Sequence, residues 1–397
     1  MNFAHGEKEL AFAAEVEQFL DEYLSDPVRR AAVSDRHPEQ LSQTVDSAAK
    51  REFIAALAER GWLGMSWPVE YGGAALSGIY DFILTEALAR RGLPQPGKGV
   101  GMVGKTIIRN GSDEMKKRFL PQIIRGEIEF AVGYSEPEAG SDAANMQLRA
   151  ERDGDHWLLN GTKMWTTSAH FADWYWLGAR TDPDAPRHRG ITLFLIPMDS
   201  PGLEVTPIMT MGDERTNQVF FDKVRVDDDC VVGELNRGWT YICEALDLER
   251  FAMMPMGPLE TKAAALFAWA REATREGRPL AEDPRARRQL ALVATDLQVA
   301  RALQKRVLAA ALGDTVPTVE SSQYKLFMNE AGQRVADTAL DLAGVAGQLR
   351  VGQRHTPQDG RFERSYRYTV VDTIGGGTSE IQKNIIATRA LGLPRSF

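Results

Sequence analysis

Cysteine and long apolar runs are both scarce in this sequence. The 397 residues include two cysteines, Cys230 and Cys243, and neither lies in a CxxC or metal-ligand spacing. We therefore expect no disulfide framework, no zinc site and a reducing compartment, the cytoplasm. The longest apolar region, residues 251–270, is interrupted by two prolines, a glutamate and a lysine. Such a region is typical of a buried helix and not of a membrane span.

Positive charge and catalytic signatures are also limited. The 47 Lys and Arg against 55 Asp and Glu give a formal net charge of -8, which argues against nucleic acid or an anionic membrane as the main partner. The N-terminal stretch MNFAHGEKELAFAAEVEQ carries acidic residues early and lacks a basic start followed by an apolar core, so we expect no secretory signal. No GxSxG motif occurs and the histidines are scattered, so hydrolase and metal-enzyme readings have little support.

Hydrophobic periodicity divides the chain into three parts. Apolar residues recur at helical spacing through the first third, where Ser112 is a candidate helix N-cap. Near Ile128 the period changes to two, and after Gly238 it returns to helical spacing over long stretches. We therefore predict an α+β multidomain protein. Its parts are an N-terminal helical domain (1–127), a central antiparallel β domain (128–237) and a C-terminal domain of the four-helix-bundle type (238–397).

Glycine-containing motifs predict several local structures. Asp153-Gly154 and Asn160-Gly161 are dipeptides typical of tight hairpin turns. The stretch GVGMVG, residues 99–104, matches GxGxxG but follows the loop-like RRGLPQPGK instead of a strand, so we interpret it as a flexible loop and not as a dinucleotide site. Ser379 and Gln382 match a capping box that would begin the last helix.

Three segments carry a specific resemblance. They are YSEPEAGSD (134–142), NGTKMWTTSAHFADWY (160–175) and GGGTSEIQ (375–382), in this order along the chain. Together they resemble the acyl-CoA dehydrogenase family. The resemblance implies the same three-part fold, noncovalently bound FAD, and desaturation of an acyl-CoA thioester between Cα and Cβ, with an electron-transfer flavoprotein as acceptor. It also implies a homodimer or homotetramer.

The resemblance assigns roles to individual residues. Trp165 would pack on the flavin ring, which needs a flat apolar face that excludes water, and Thr167 would donate a hydrogen bond near N5. Ser141 would contact the CoA moiety. The other implied cofactor contacts are Tyr134, Ser135, Thr378 and Glu380.

The expected catalytic base is missing from its usual place. Many family members carry a glutamate where this chain has Gly376, although the Gly376 amide can still bond the thioester carbonyl. A subset of the family places the base on the helix after the β domain, directly before an arginine, which corresponds here to Glu249 and Arg250. We therefore expect Glu249 to remove the α-proton while the β-hydride passes to flavin N5, with Arg250 ordering the substrate site. Burial beside the flavin would raise the pKa of Glu249 toward working pH.

Two stretches depart from the family pattern and keep alternatives open. REATREGRPL and LDLAGVAGQ stand where the family has segments that grip the FAD of a neighbouring subunit. The chain is therefore also a candidate half-active subunit of a heterotetramer with a related chain. An acyl-CoA oxidase or a flavin monooxygenase on the same fold is a further alternative.

Overall fold

The N-terminal third is helical, as the periodicity predicts. The computed structural model describes residues 6–34, 45–252, 255–275, 277–311 and 317–394, with the backbone alone over 247–252. The Ser112 hydroxyl accepts a hydrogen bond from the amide of Met115 at 3.1 Å, which confirms the predicted N-cap. The helices of this part are α1 (Glu7–Tyr23), α2 (Pro27–Val33), α3 (Ala48–Glu59), α4 (Gly78–Arg90), α5 (Gly104–Asn110) and α6 (Asp113–Ile124).

The GVGMVG stretch is helical, so the predicted flexible loop is wrong. Gly99–Val103 forms a π-helix that runs directly into α5. The Trp67 indole donates a hydrogen bond to the Val100 carbonyl at 3.2 Å, and a Cβ atom added at Gly104 would lie 2.2 Å from the Trp67 ring. Close packing against this buried tryptophan overrides the poor helix propensity of glycine.

The central part is one twisted sheet. Its order is β6-β7-β3-β2-β4-β5-β8, with β1 pairing β4. Most neighbours are antiparallel as predicted, but β1–β4 and β2–β4 are parallel. The strands are β1 (Phe130–Gly133), β2 (Arg149–Asp153), β3 (His156–Lys163), β4 (Trp174–Arg180), β5 (Ile191–Pro197), β6 (Leu203–Met209), β7 (Arg215–Asp227) and β8 (Val231–Val232).

The two predicted hairpin turns have different outcomes. Asp153-Gly154 does connect β2 to β3, with Asp153 paired to His156. The prediction for Asn160-Gly161 is wrong, because this dipeptide lies inside β3, where the register with β7 shifts. The Asn160 side chain accepts a hydrogen bond from the Lys223 amide at 2.8 Å, so a side-chain oxygen replaces a backbone partner at this β-bulge.

The C-terminal part is a helical bundle, which confirms the predicted fold class. Apolar side chains of α8, α9, α10 and α11 form one buried cluster that includes Leu259, Leu297, Val335 and Phe362. None of the described helices combines the length and the apolar character needed to cross a membrane. The helices are α7 (Gly238–Ala252), α8 (Gly257–Glu272), α9 (Pro284–Ala311), α10 (Thr318–Ala343), α11 (Arg361–Asp372) and α12 (Ser379–Ile385), and a two-stranded ribbon of β9 (Thr274–Arg275) and β10 (Arg278–Pro279) follows α8.

Helix α7 connects the three parts. It packs against β5 of the sheet, against the π-helix of the N-terminal part and against α10 of the bundle. Helix α7 as a whole therefore lies close to elements from all three regions of the chain.

Candidate active site

Trp165 combines exposure with an unusual backbone. It follows β3 with 54% of its surface exposed, and its φ is +63°. Positive φ is rare for a bulky residue and persists only where the surrounding structure imposes it. Here the next peptide is fixed by Asn217, whose carbonyl accepts from the Thr166 amide at 2.9 Å and whose side chain donates to the Thr166 carbonyl at 2.8 Å. The segment therefore presents an aromatic face on a rigid backbone.

Thr167 belongs to the same exposed segment. Its carbonyl accepts a hydrogen bond from the buried Asn217 side chain at 3.3 Å, while the residue itself is exposed. The neighbouring Thr166 points inward and shares a 2.8 Å hydrogen bond with the Tyr175 hydroxyl. Trp165 and Thr167 therefore lie on the solvent side, whereas the residue between them belongs to the core.

The segment after β1 lies against the Trp165 segment. The Ser135 carbonyl accepts a hydrogen bond from the Met164 amide at 2.9 Å, which brings Ser135 beside the end of β3. Tyr134 is buried, and its hydroxyl accepts from the Trp176 indole at 2.7 Å. The structure thus brings Ser135, Trp165 and Thr167 together at the end of β3, with the neighbouring Tyr134 side chain in the core.

A buried ion pair joins these two segments, and the sequence analysis missed it. The Lys163 ammonium lies 2.8 Å from a Glu136 carboxylate oxygen, and both side chains are buried. Glu136 also accepts from the amides of Gln147 and Leu148, at 2.5 and 2.9 Å. Burial lowers the pKa of Lys163, and the Glu136 carboxylate opposes that shift. The strand pattern offers a signal for the pair, because Lys163 occupies an inward-facing position of β3.

Ser141 lies in an exposed loop that is anchored on both sides. Asp142 forms a 2.8 Å ion pair with Arg187 across the surface. Arg180, which is buried, donates to the carbonyls of Ala144 and Met146 at 2.8 and 3.1 Å. These contacts fix the backbone around Ser141 and leave its hydroxyl at the surface.

The glycine loop, residues 375–377, joins α11 to α12. Gly376 and Gly377 have φ values of +64° and +90°, which favour glycine. Within the described chain, neither of their amides donates a hydrogen bond. Consecutive unpaired backbone amides in such a turn form a concavity that binds a negatively charged or carbonyl oxygen.

Thr378, and not Ser379, caps the following helix. Its hydroxyl accepts a hydrogen bond from the Ile381 amide at 3.2 Å, so the predicted capping box of Ser379 and Gln382 is wrong. Thr378 takes this position because its backbone is extended, whereas Ser379 is already helical. Glu380 is exposed in the first turn, where hydrogen bonds from its own amide and from the Thr378 hydroxyl lower its pKa.

The side chains of Glu249 and Arg250 lie outside the described residues, although their backbone belongs to α7. The same holds for Asp247. Glu244, on the same helix, is half-buried and accepts a hydrogen bond from the Asn110 side chain of α5 at 3.2 Å. That bond holds Glu244 against α5.

The site residues form two groups. The backbone hydrogen bonds of Ser135 and Thr166 described above stay within the sheet, and those that Gln382 donates to the glycine loop stay within the bundle. One link between the sheet and the bundle is Arg367 of α11, which pairs with Asp213 at 2.5 Å and donates to the Met211 carbonyl. One group lies on the sheet and the other on the bundle, and α7 packs against both domains.

Comparisons with known proteins agree on one family. The chain matches the family descriptions "Acyl-CoA dehydrogenase, N-terminal domain" over residues 6–127, "middle domain" over 131–224 and "C-terminal domain" over 236–391. It is 35% identical over 381 residues to acyl-CoA dehydrogenase FadE26 of Mycobacterium tuberculosis, covering 94% of each chain.

Solved structures agree with this assignment. The Tcur3481-Tcur3483 steroid ACAD is 35% identical with a TM-score of 0.87, covering 100% of each chain. The ChsE4-ChsE5 complex from Mycobacterium tuberculosis is 33% identical with a TM-score of 0.88, again covering 100% of each chain. The chain therefore belongs to the acyl-CoA dehydrogenase family and is an oxidoreductase that acts on an acyl-CoA.

Proposed function

We propose that this enzyme removes the α-proton of an acyl-CoA with Glu249 and binds the thioester carbonyl at the Gly376 amide. The observation that carries the proposal is the glycine loop, which has unpaired amides and no carboxylate at Gly376. A base must then come from another element. Glu249 stands on α7, the helix that packs against the sheet, the π-helix and the bundle.

The residues at the end of β3 fit a flavin. An exposed tryptophan held at positive φ and an adjacent exposed threonine give an aromatic face and a polar donor. FAD, when bound there, supplies the acceptor for the β-hydrogen as hydride. Trp165 and Thr167 would hold the ring, together with Tyr134 and Ser135. Thr378 and Glu380 are the proposed contacts from α12.

Different groups of the chain would bind the thioester oxygen and remove the α-proton. The Gly376 amide donates to the thioester oxygen and stabilises the negative charge that grows there as the α-proton leaves. The Glu249 carboxylate receives that proton, and loss of water around it when substrate binds raises its pKa toward neutrality. Arg250 orders the substrate site beside the base, and Ser141 contacts the CoA moiety.

The test is the Glu249→Gln variant. It keeps the size of the side chain but removes the base, so we expect flavin to stay bound and the rate of anaerobic bleaching by an acyl-CoA to fall roughly 10²–10⁴-fold. Glu244→Gln on the same helix is the matched control and should bleach at nearly the wild-type rate. A Glu249→Gln protein that bleaches as fast as the wild type refutes the assignment.

The acyl group and the acceptor are part of the same proposal. Because the Tcur3481-Tcur3483 enzyme is named a steroid ACAD, a steroid-derived acyl-CoA is the first substrate to test, followed by a panel of straight and branched chains. We propose an electron-transfer flavoprotein as acceptor. Stoichiometric oxygen consumption with acyl-CoA alone would instead identify an oxidase.

A second candidate is that this chain works with a related partner chain. Two structural relatives are named as two-component assemblies, Tcur3481-Tcur3483 and ChsE4-ChsE5. In this case the purified chain alone would be colourless and would turn yellow only when co-purified with the second chain. A yellow, active homodimer or homotetramer of this chain would exclude the candidate, and an absorption spectrum combined with light scattering decides between them.

A further inference from the structure

A polar ladder on α10 holds the end of α11. Lys325, Asn329 and Gln333 are spaced four residues apart and therefore share one helix face. The Lys325 ammonium and the Asn329 amide both donate to the Asp372 carbonyl, at 3.3 and 2.5 Å. Gln333 donates to the Thr369 carbonyl at 3.3 Å. The last carbonyls of a helix lack intrahelical partners, so α10 caps α11 immediately before the glycine loop.

Lys325 differs from a neutral capping residue because it brings a buried positive charge next to the glycine loop. It is only 5% exposed, and its Cε atom would lie 3.4 Å from a Cβ atom added at Gly376. The lysine stem therefore lies directly against the loop, and its ammonium contributes positive potential there. Burial raises the pKa of the Asp372 carboxyl, while the ammonium groups of Lys262 and Lys325 lower it. Lys325 therefore places a buried positive charge, which interacts with the Asp372 carboxyl, beside the glycine loop.

The loop is held from its other side by Gln382. This side chain is fully buried and donates to the Gly377 carbonyl at 3.1 Å and to the Gly376 carbonyl at 3.4 Å. A Cβ atom added at Gly377 would lie 2.7 Å from the Gln382 amide nitrogen, so the hydrogen bonds of Gln382 to the loop require glycine at this position. The carbonyls of Gly376 and Gly377 thus accept hydrogen bonds from the protein, whereas the amides of the same two residues are left for a ligand.

We propose that Lys325 is a positioning residue for the thioester: it fixes the turn that aims the Gly376 amide, and its charge increases the polarising power of that amide. This inference rests on the proposed binding of a thioester carbonyl at Gly376 and adds a residue that touches neither substrate nor base. A merely structural Lys325 would affect stability and all ligands alike. A positioning Lys325 affects ligands through their carbonyl oxygen.

The test compares Lys325→Met with Lys325→Arg in the flavin-containing enzyme or complex. Its first readout is the infrared carbonyl band of a bound, unreactive acyl-CoA thioester labelled with ¹³C at the carbonyl. We expect the band of the wild type to lie below that of the free ligand. In Lys325→Met the band should move part of the way back toward the position of the free ligand. In Lys325→Arg it should stay close to the wild-type position. The second readout is affinity: Lys325→Met should weaken thioester binding about tenfold more than binding of the matched thioether that lacks the carbonyl oxygen.

Lys262→Met is the matched control, because Lys262 is also buried and also lowers the pKa of Asp372. Equal losses for thioester and thioether, or an equal band change in Lys262→Met, overturn the role of Lys325. If Lys325→Met fails to fold, Lys325→Gln decides: it removes the charge but keeps a hydrogen-bond donor, and an unchanged band refutes the proposal. A wild-type band without any shift refutes the Gly376 contact itself. Proton removal by Glu249 is tested separately, because these ligands do not react.

Discussion

The two halves of the site are held in different ways. On the sheet, the Ser135 and Trp165 segments are joined by a buried carboxylate–ammonium pair, Glu136 and Lys163. On the bundle, side chains donate to backbone carbonyls: Lys325 to that of Asp372 at the end of α11, and Gln382 to that of Gly377 in the glycine loop. An ion pair fixes two segments relative to each other, whereas donors on carbonyls fix the direction of the remaining amides. The sheet half therefore exposes side chains to a ligand, and the bundle half exposes backbone amides.

Breaking the ion pair should have the largest effect on stability. Lys163→Met leaves Glu136 buried without its counter-ion, so we expect a loss of about 3–5 kcal/mol in the free energy of unfolding. Urea denaturation followed by circular dichroism measures it. The double variant Lys163→Met/Glu136→Gln should lose less, because no unpaired charge remains. A Lys163→Met protein as stable as the wild type would show that the pair does not hold the sheet half together.

The pH dependence of stability offers a second comparison. Burial raises the pKa of Glu129, beside β1, and of Glu86, on α4, to about 7 from 4.5. The folded protein then binds protons that the unfolded chain has released, so stability is highest below pH 4.5 for these groups and falls as the pH rises to about 7. Each group contributes at most about 3 kcal/mol.

Glutamine variants separate the two carboxyls. Glu86 accepts a hydrogen bond from the Met256 amide at 2.8 Å, at the start of α8, whereas the charges of Arg51 and Lys98 lower the pKa of Glu129. Glu86→Gln should match the wild type in stability near pH 5 and exceed it at pH 8. Its salt dependence should be small, because Glu260 raises and Arg90 lowers the pKa of Glu86 and their effects oppose each other. The gain in the free energy of unfolding of Glu129→Gln at pH 8 should vary with salt concentration. Urea midpoints at both pH values measure this, and gains that do not change with pH contradict the prediction.

Removing the exposed ring should uncouple flavin retention from stability. Trp165→Gly deletes the aromatic face and relieves the positive φ, so we expect flavin affinity to fall about 10–100-fold. The melting temperature of the flavin-free protein should stay the same or rise, because the side chain is exposed and the backbone unfavourable. Flavin absorbance after gel filtration and a thermal melt measure the two effects. A large loss of stability in the flavin-free protein would mean that Trp165 is a packing residue.

The smallest effect is expected within the glycine loop. Gly376→Ala places a methyl group at φ +64°, which costs about 1 kcal/mol and turns the amide. We expect kcat/KM to fall about tenfold with little change in fold. Gly375→Ala is the matched control, because that glycine has no positive φ and its added Cβ would meet only the Val371 carbonyl at 3.6 Å. Equal losses in both variants would argue against a special role for the Gly376 amide.

The sequence was sufficient for the three-part architecture and for the family. It was misleading where packing overrides local preference. Glycines at 99–104 suggest a loop, yet contact with Trp67 makes the segment helical. Asn160-Gly161 suggests a turn, yet the long strand β7 continues past it and pairing resumes after a shift. In both places, a partner distant in sequence decides the structure.

The residues that support the candidate site were harder to predict from the sequence than the motif residues. Lysine is nearly always exposed, so nothing local marks Lys325 as buried, and only the alternation of β3 points to an inward-facing Lys163. Only the tertiary structure shows that one faces Glu136 and the other lies under the glycine loop. The motif residues were predicted because three segments resemble a family in a fixed order, whereas that order gives no information on the partners of Lys163 and Lys325.

The absent side chain at Gly376 also has a consequence for chemical labelling. An electrophilic acyl-CoA that captures the carboxylate of a loop glutamate in other members would find no nucleophile on residues 375–377 of this chain. After proteolysis, mass spectrometry should recover such an adduct on the peptide containing α7. The reagent would thus distinguish enzymes with a loop acid from enzymes like this one in a mixture, without any turnover being measured.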